Sequence, residues 1–151
     1  MRHRFQFWAW LQGRSNKILA GKGLESPSLS QDPARLPIAT LAYIGDAIYE
    51  LHVRAGLVET GVLKSNELHR KAVQRVCAKA QAKKLRSLEP DLQEKERDLV
   101  RRGRNAHTGH VPKGAKVMDY RSSTALEALI GYLYLSGEWE RLAEILQAVE
   151  E

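Results

Sequence analysis

A chain of 151 residues holds one domain with a sizeable core and is too short for two ordinary ones. A hydrophobic share of 43% and a charged share of 28% rule out general disorder, and no apolar run approaches the roughly 20 residues of a membrane span. The net charge of +6 makes nucleic acid the first partner to consider, although charge alone fits a basic protein with no such partner equally well.

Residues 1–36 read as an extension and linker. No acid precedes Glu25, while Arg2, Arg4, Arg14, Lys17 and Lys22 give the composition of a transit peptide. A variable extension or a start codon placed too early ranks above targeting, so the expected compartment is the cytoplasm, or a plastid if the segment is a transit peptide. Residues 24–37 are rich in Ser, Pro and Gly, and the folded domain is expected over 37–151, with Pro37 suited to begin a helix. From Ile38 to about Val58, the residues Ile38, Leu41, Ile44, Ile48 and Leu51 form an apolar stripe at helical spacing. Ser65 or Asn66 can cap one helix running to about Leu88, with Leu68, Val73, Val76, Cys77 and Ala80 inward. Cys77 is the only cysteine, which excludes an internal disulfide and reads as a buried small hydrophobe. A charged helix is expected over about 92–102, then a long loop over 103–121. Ser122 to Leu135 is a strong helix with Leu126, Leu129, Ile130 and Leu133 apolar, and a last helix spans about 138–149. No strand pattern occurs, so the fold class is all-α.

Three constellations carry chemistry. Asp46 follows Gly45 inside an apolar helix, where both residues are unfavourable, Gly by about 1 kcal/mol relative to Ala. A close helix approach with Asp46 turned into a cleft explains both; a solvent-facing Asp46 is the plainer reading. Glu127 lies between apolar residues, where Thr124 and Glu127 also have the spacing of a capping box. If the two helices pack side by side, the carboxylates of Asp46 and Glu127 face one another and call for a cation, with hard oxygen ligands selecting Mg²⁺, or Mn²⁺ in its place. The third is the stretch with Arg101, Arg102, Arg104, Asn105, His107, Lys113 and Lys116, whose forks and charges match phosphates and ribose hydroxyls; a solvated charged loop is its ordinary alternative. His52 and His69 read as surface or capping residues, and Trp139 as a packing anchor.

The stretches LAYIGDAIYEL, LHRKAVQRVCAKAQAK, LVRRGRNAHTGHVPK and YRSSTALEALIGYLYL resemble, in order and spacing, the Mini-ribonuclease III branch of the ribonuclease III family. The resemblance covers about residues 38–147. It implies a helical-bundle endonuclease domain, a homodimer that makes one cut per strand of an RNA duplex with Mg²⁺, products with 5′-phosphate and 3′-hydroxyl ends, and maturation of 23S ribosomal RNA precursor. Asp46 and Glu127 match the family's catalytic Asp and Glu. Two further carboxylates of full-length ribonuclease III are replaced by Ala42 and Thr124, as in the Mini branch. That reduction also leaves open a non-catalytic RNA-binding or ribosome-assembly protein on the same fold.

Overall fold

The computed structural model describes residues 29–61, 64–106, 111, 113–114 and 116–150. These residues form α1 (Ile38–Glu59), α2 (Ser65–Val76), α3 (Ala78–Leu88), α4 (Glu94–Asn105), α5 (Val117–Leu135) and α6 (Trp139–Ala148), with short 3-10 turns at Pro33–Arg35 and Glu89–Asp91. No strand occurs among them, and no helix of the described residues is long and apolar enough to cross a membrane.

The core is built around α5, which packs against α1, α3, α4 and α6. Leu126, Leu129, Ile130 and Leu133 are fully buried there. Each such side chain contributes roughly 1.5–3 kcal/mol, which outweighs the helix cost of Gly131, about 1 kcal/mol. The inward face of α1 is Leu41, Ala42, Gly45, Tyr49, Val53 and Leu57. The expected stripe is therefore rotated: Ile38 and Leu41 are buried, but Leu51 is 62% exposed. Packing also begins upstream of Pro37, since Leu36 is buried and Leu29 lies against the core.

Several expectations are corrected. The single helix over 65–88 is two helices, because Cys77 adopts extended backbone (φ −64°, ψ 151°) between α2 and α3. Cys77 is exposed at that break, and Val73, expected inward, is 48% exposed; Ala72 is the buried residue of α2. Finally, α5 starts at Val117, which shortens the loop and places Thr124 and Glu127 in mid-helix. The Thr124 hydroxyl donates to Tyr120 O at 3.1 Å, an ordinary intrahelical contact, so the capping-box reading fails.

The ends of the bundle are tied by ionic contacts. Arg141 of α6 donates from Nε and Nη2 to the two oxygens of Glu96 on α4, at 2.7 and 2.9 Å, and from Nη2 to Asp91 O at 2.9 Å. Burial would raise the Glu96 carboxyl, but the Arg141 hydrogen bonds and the Gln93 N–H hold it below its ordinary value. His52 of α1 meets Glu150 at 2.9 Å, and Trp139 packs edge-on against Tyr134 with ring centres 5.3 Å apart, the anchoring role expected for it.

Candidate active site

The site lies where α1 crosses α5. A Cβ added at Gly45 would stand 1.7 Å from the backbone O of Glu127, and one added at Gly131 would stand 2.0 Å from Leu41 O. The two helices thus meet backbone to backbone, which only glycine allows. Asp46 and Glu127 flank this contact, so the local fold that explains Gly45 also brings the two carboxylates into one field.

Their environments differ. Asp46 is exposed, as the solvent-facing reading had it, rather than enclosed in a cleft; partial burial still raises its carboxyl, Glu50 adds to the rise, and Arg54 opposes it. Glu127 is more enclosed. Burial pushes its carboxyl up to about 7, with the charges of Asp46 and Glu50 adding to the effect and a hydrogen bond from Gln81 opposing it. Glu50, one helical turn after Asp46, is a member of this acidic cluster that sequence reasoning missed. Its own ion pair with Arg54, 2.5 Å, lies on the exposed side of α1.

Among the described residues no three His, Cys, Asp or Glu side chains form a ready-made metal cage. Burial is the main cause of the raised Glu127 carboxyl and the charge of Asp46 adds to it, so the two acids share one field, and the oxygen donors of the pair suit a hard cation. Two carboxylates with the remaining positions left to water are a fit for Mg²⁺, which keeps several waters when bound. Ala42 and Thr124, at the places of the missing carboxylates, are 8% and 5% exposed.

The surroundings of Glu127 tie it to the α2–α3 break. Gln81 on α3 is 2% exposed and donates from Nε2 to Glu127 Oε1 at 2.9 Å and to Val76 O at 2.9 Å. Tyr49 donates its hydroxyl to Arg75 O at 3.3 Å. Burial pushes that phenol up to about 12, with Arg75 opposing the rise and Glu127 among the charges adding to it. Sequence reasoning missed Gln81 as well, because a glutamine in a Lys-rich helix is indistinguishable from a solvent-facing one.

The expected RNA-contact residues are divided by the structure. Arg101 and Arg102 are on α4, as expected, and Arg104 is on it too rather than in the loop expected from residue 103; each has a partner within the chain: Asp98 at 2.5 Å, Ala34 O at 3.1 Å, and Glu89 respectively. Asn105 ends α4 exposed, Lys113 and Lys116 are exposed, and His107 falls outside the described residues. A second cationic surface has no counterpart among the expected residues. On α2 and α3, Arg70, Arg75, Lys79, Lys83 and Arg86 are exposed, with Glu67 the sole acid between residues 65 and 88. Burial and the nearby Arg75 lower the pKa of Lys84. The helices that carry it also supply Arg75 O to Tyr49 and Gln81 to Glu127; its signal in the sequence is the acid-free run HRKAVQRVCAKAQAKKLR.

The chain is similar to known proteins over most of its length. Residues 39–138 match the model of the Ribonuclease III domain. The chain is 52% identical over 120 residues to the Mini-ribonuclease 3 of Symbiobacterium thermophilum, covering 80% of this chain and 92% of that one. It is 49% identical over 124 residues to the Mini-ribonuclease 3 of Brevibacillus brevis, covering 82% and 92%. A crystal structure of a Fusobacterium nucleatum protein superposes with a TM-score of 0.71 at 32% identity, covering 80% of this chain and 97% of that one. With the glycine crossing, the paired carboxylates and the all-α bundle in place, the chain belongs to the ribonuclease III family of endoribonucleases.

Proposed function

We propose that this protein cleaves double-stranded RNA with Mg²⁺, as a homodimer in the cytoplasm, and that its natural substrate is 23S ribosomal RNA precursor. The observation that carries the reading is the α1–α5 crossing, where Gly45 and Gly131 let Asp46 and Glu127 converge.

Asp46 and Glu127 would hold the cation, for which Mn²⁺ is a substitute. A divalent ion there supplies positive charge to the phosphate and acidifies water. The chain's own contribution is placement. Asp46, at the open side, faces incoming substrate, and Glu127 is fixed from behind by Gln81. The reaction is a hydrolysis: water adds to a backbone phosphorus in line, the bond to the 3′ oxygen breaks, and the ends are a 5′-phosphate and a 3′-hydroxyl. The exposed cations of α2 and α3, with Lys113 and Lys116, would meet the two phosphate ridges of A-form RNA, whose recognition is mostly of shape. Arg101, Arg102 and Arg104 each engage one guanidinium nitrogen within the chain, which leaves further N–H donors for a phosphate.

The test is cleavage of a long RNA duplex by the purified protein with and without Mg²⁺. Asp46→Asn keeps the shape and removes the charge, so cleavage should fall by at least about a hundredfold while the helical circular dichroism stays unchanged. Retained cleavage by this variant, or equal activity in a chelator, would overturn the reading.

A further inference from the structure

Gln81 is buried on α3, and both acceptors that its Nε2 meets, Val76 O and Glu127 Oε1, lack protons to give when the carboxylate is ionised. The amide therefore has one workable orientation; turned over, its oxygen would oppose a carbonyl and a carboxylate. The Val76 carbonyl is free to accept because the helix stops at Cys77, whose extended backbone interrupts the ladder. The amide's own Oε1, in contrast, is buried without a hydrogen-bond partner. A buried acceptor left alone is costly, and an apolar side chain of the same length would fill the space without it. Packing alone thus does not favour glutamine here. What the amide adds is a donor aimed at Glu127.

We propose that Gln81 is a positioning residue for cleavage. One N–H grips the last carbonyl of α2 and the other grips Oε1 of Glu127, so the carboxylate is held in one rotamer with its second oxygen left for the cation and the phosphate. The proposal rests on the reading of Asp46 and Glu127 as the cation-holding pair.

The experiment compares wild type with Gln81→Met, which keeps length and apolar bulk and removes the donor. Single-turnover cleavage of duplex RNA is measured against Mg²⁺ concentration, RNA affinity is measured without divalent cation, and Mn²⁺ binding to the RNA-free protein is followed by electron paramagnetic resonance. The expected result is a fall of about tenfold in the rate at saturating RNA, with a rise of similar size in the Mg²⁺ concentration for half-maximal rate. Mn²⁺ binding should weaken in parallel, and RNA affinity should stay within about twofold, as the amide does not face the substrate. Unchanged Mg²⁺ dependence and Mn²⁺ binding in a folded Gln81→Met protein would overturn the proposal, as would a loss confined to RNA affinity. Should that variant unfold, Gln81→Leu removes the donor as well and adds no charge. If both unfold, glutamine is required for folding and the positioning role falls. Failure of the underlying reading is distinguishable, because Asp46→Asn and Glu127→Gln would then still cleave, whatever Gln81 does.

Discussion

Glu127 shows how one carboxyl trades stability for chemistry. Its folded pKa of about 7 lies above the ordinary 4.5 because burial and the acids Asp46 and Glu50 outweigh the Gln81 hydrogen bond. Between these two values the folded protein keeps a proton that the unfolded chain releases. Stability without metal therefore falls as pH rises from about 4.5 to 7, then levels. A shift of this size corresponds to about 2–3 kcal/mol at most, since solvent reaches part of the group. Glu127→Gln removes the titrating group, so the variant should be more stable than wild type at pH 8 in chelator and should lose that advantage by pH 4.5. Urea unfolding at the two pH values checks this; an advantage independent of pH would show that Glu127 is not the group responsible. Addition of Mg²⁺ should stabilise wild type and not the variant.

The crossing of α1 and α5 is legible in part from the amino acids alone. Gly45 beside Asp46 in an apolar helix signals a close approach, and the apolar run of α5 signals a buried centre. The partner of Gly45 is not legible, because helix periodicity tells which face is buried and not what lies against it. The break at Cys77 is equally hidden: VQRVCAKAQ contains no Pro or Gly, and only tertiary packing on α5 makes the bend favourable. Gln81 follows from that break and cannot be found without it. The Glu89 partner of Arg104 is hidden for a related reason, since it comes from a separate turn, whereas the Asp98–Arg101 pair has i,i+3 spacing on one helix and is legible. Gly45→Ala tests the crossing itself. Its methyl group would meet backbone, not a flexible side chain, so the two helices must separate. The expected cost is about 3 kcal/mol or more, read from urea or thermal unfolding. An alanine that left the stability unchanged or raised it by about 1 kcal/mol, as the same change does at an exposed helix site, would contradict the packing described.

The proposed pairing and the proposed RNA contact would draw on two different surfaces. The cations of α2 and α3 should govern affinity through counterion release, each phosphate contact adding about one to the magnitude of the salt slope. Lys79→Ala combined with Lys83→Ala should therefore weaken duplex RNA binding and flatten the log–log salt dependence by about two; an unaltered slope would assign the RNA elsewhere. The outer face of α1 is of the opposite kind. Tyr43 is 82% exposed, Leu51 62% and Val58 56%, and intervals of eight and seven residues set them in one stripe. Large apolar side chains aligned in this way are the mark of an interface, and a stripe pairing with its own copy about a twofold axis buries both at once. Asp46 and Glu50 lie beside that stripe on the same helix, so pairing would enclose the open side of the site that the single chain leaves to water. If the protein pairs through this stripe, light scattering should find wild type dimeric and Leu51→Glu monomeric at the same concentration. Because Leu51 is exposed in the single chain, the helical fold should survive, while duplex cleavage falls with the loss of the second subunit. A Leu51→Glu protein that stays dimeric and fully active would move the interface off α1.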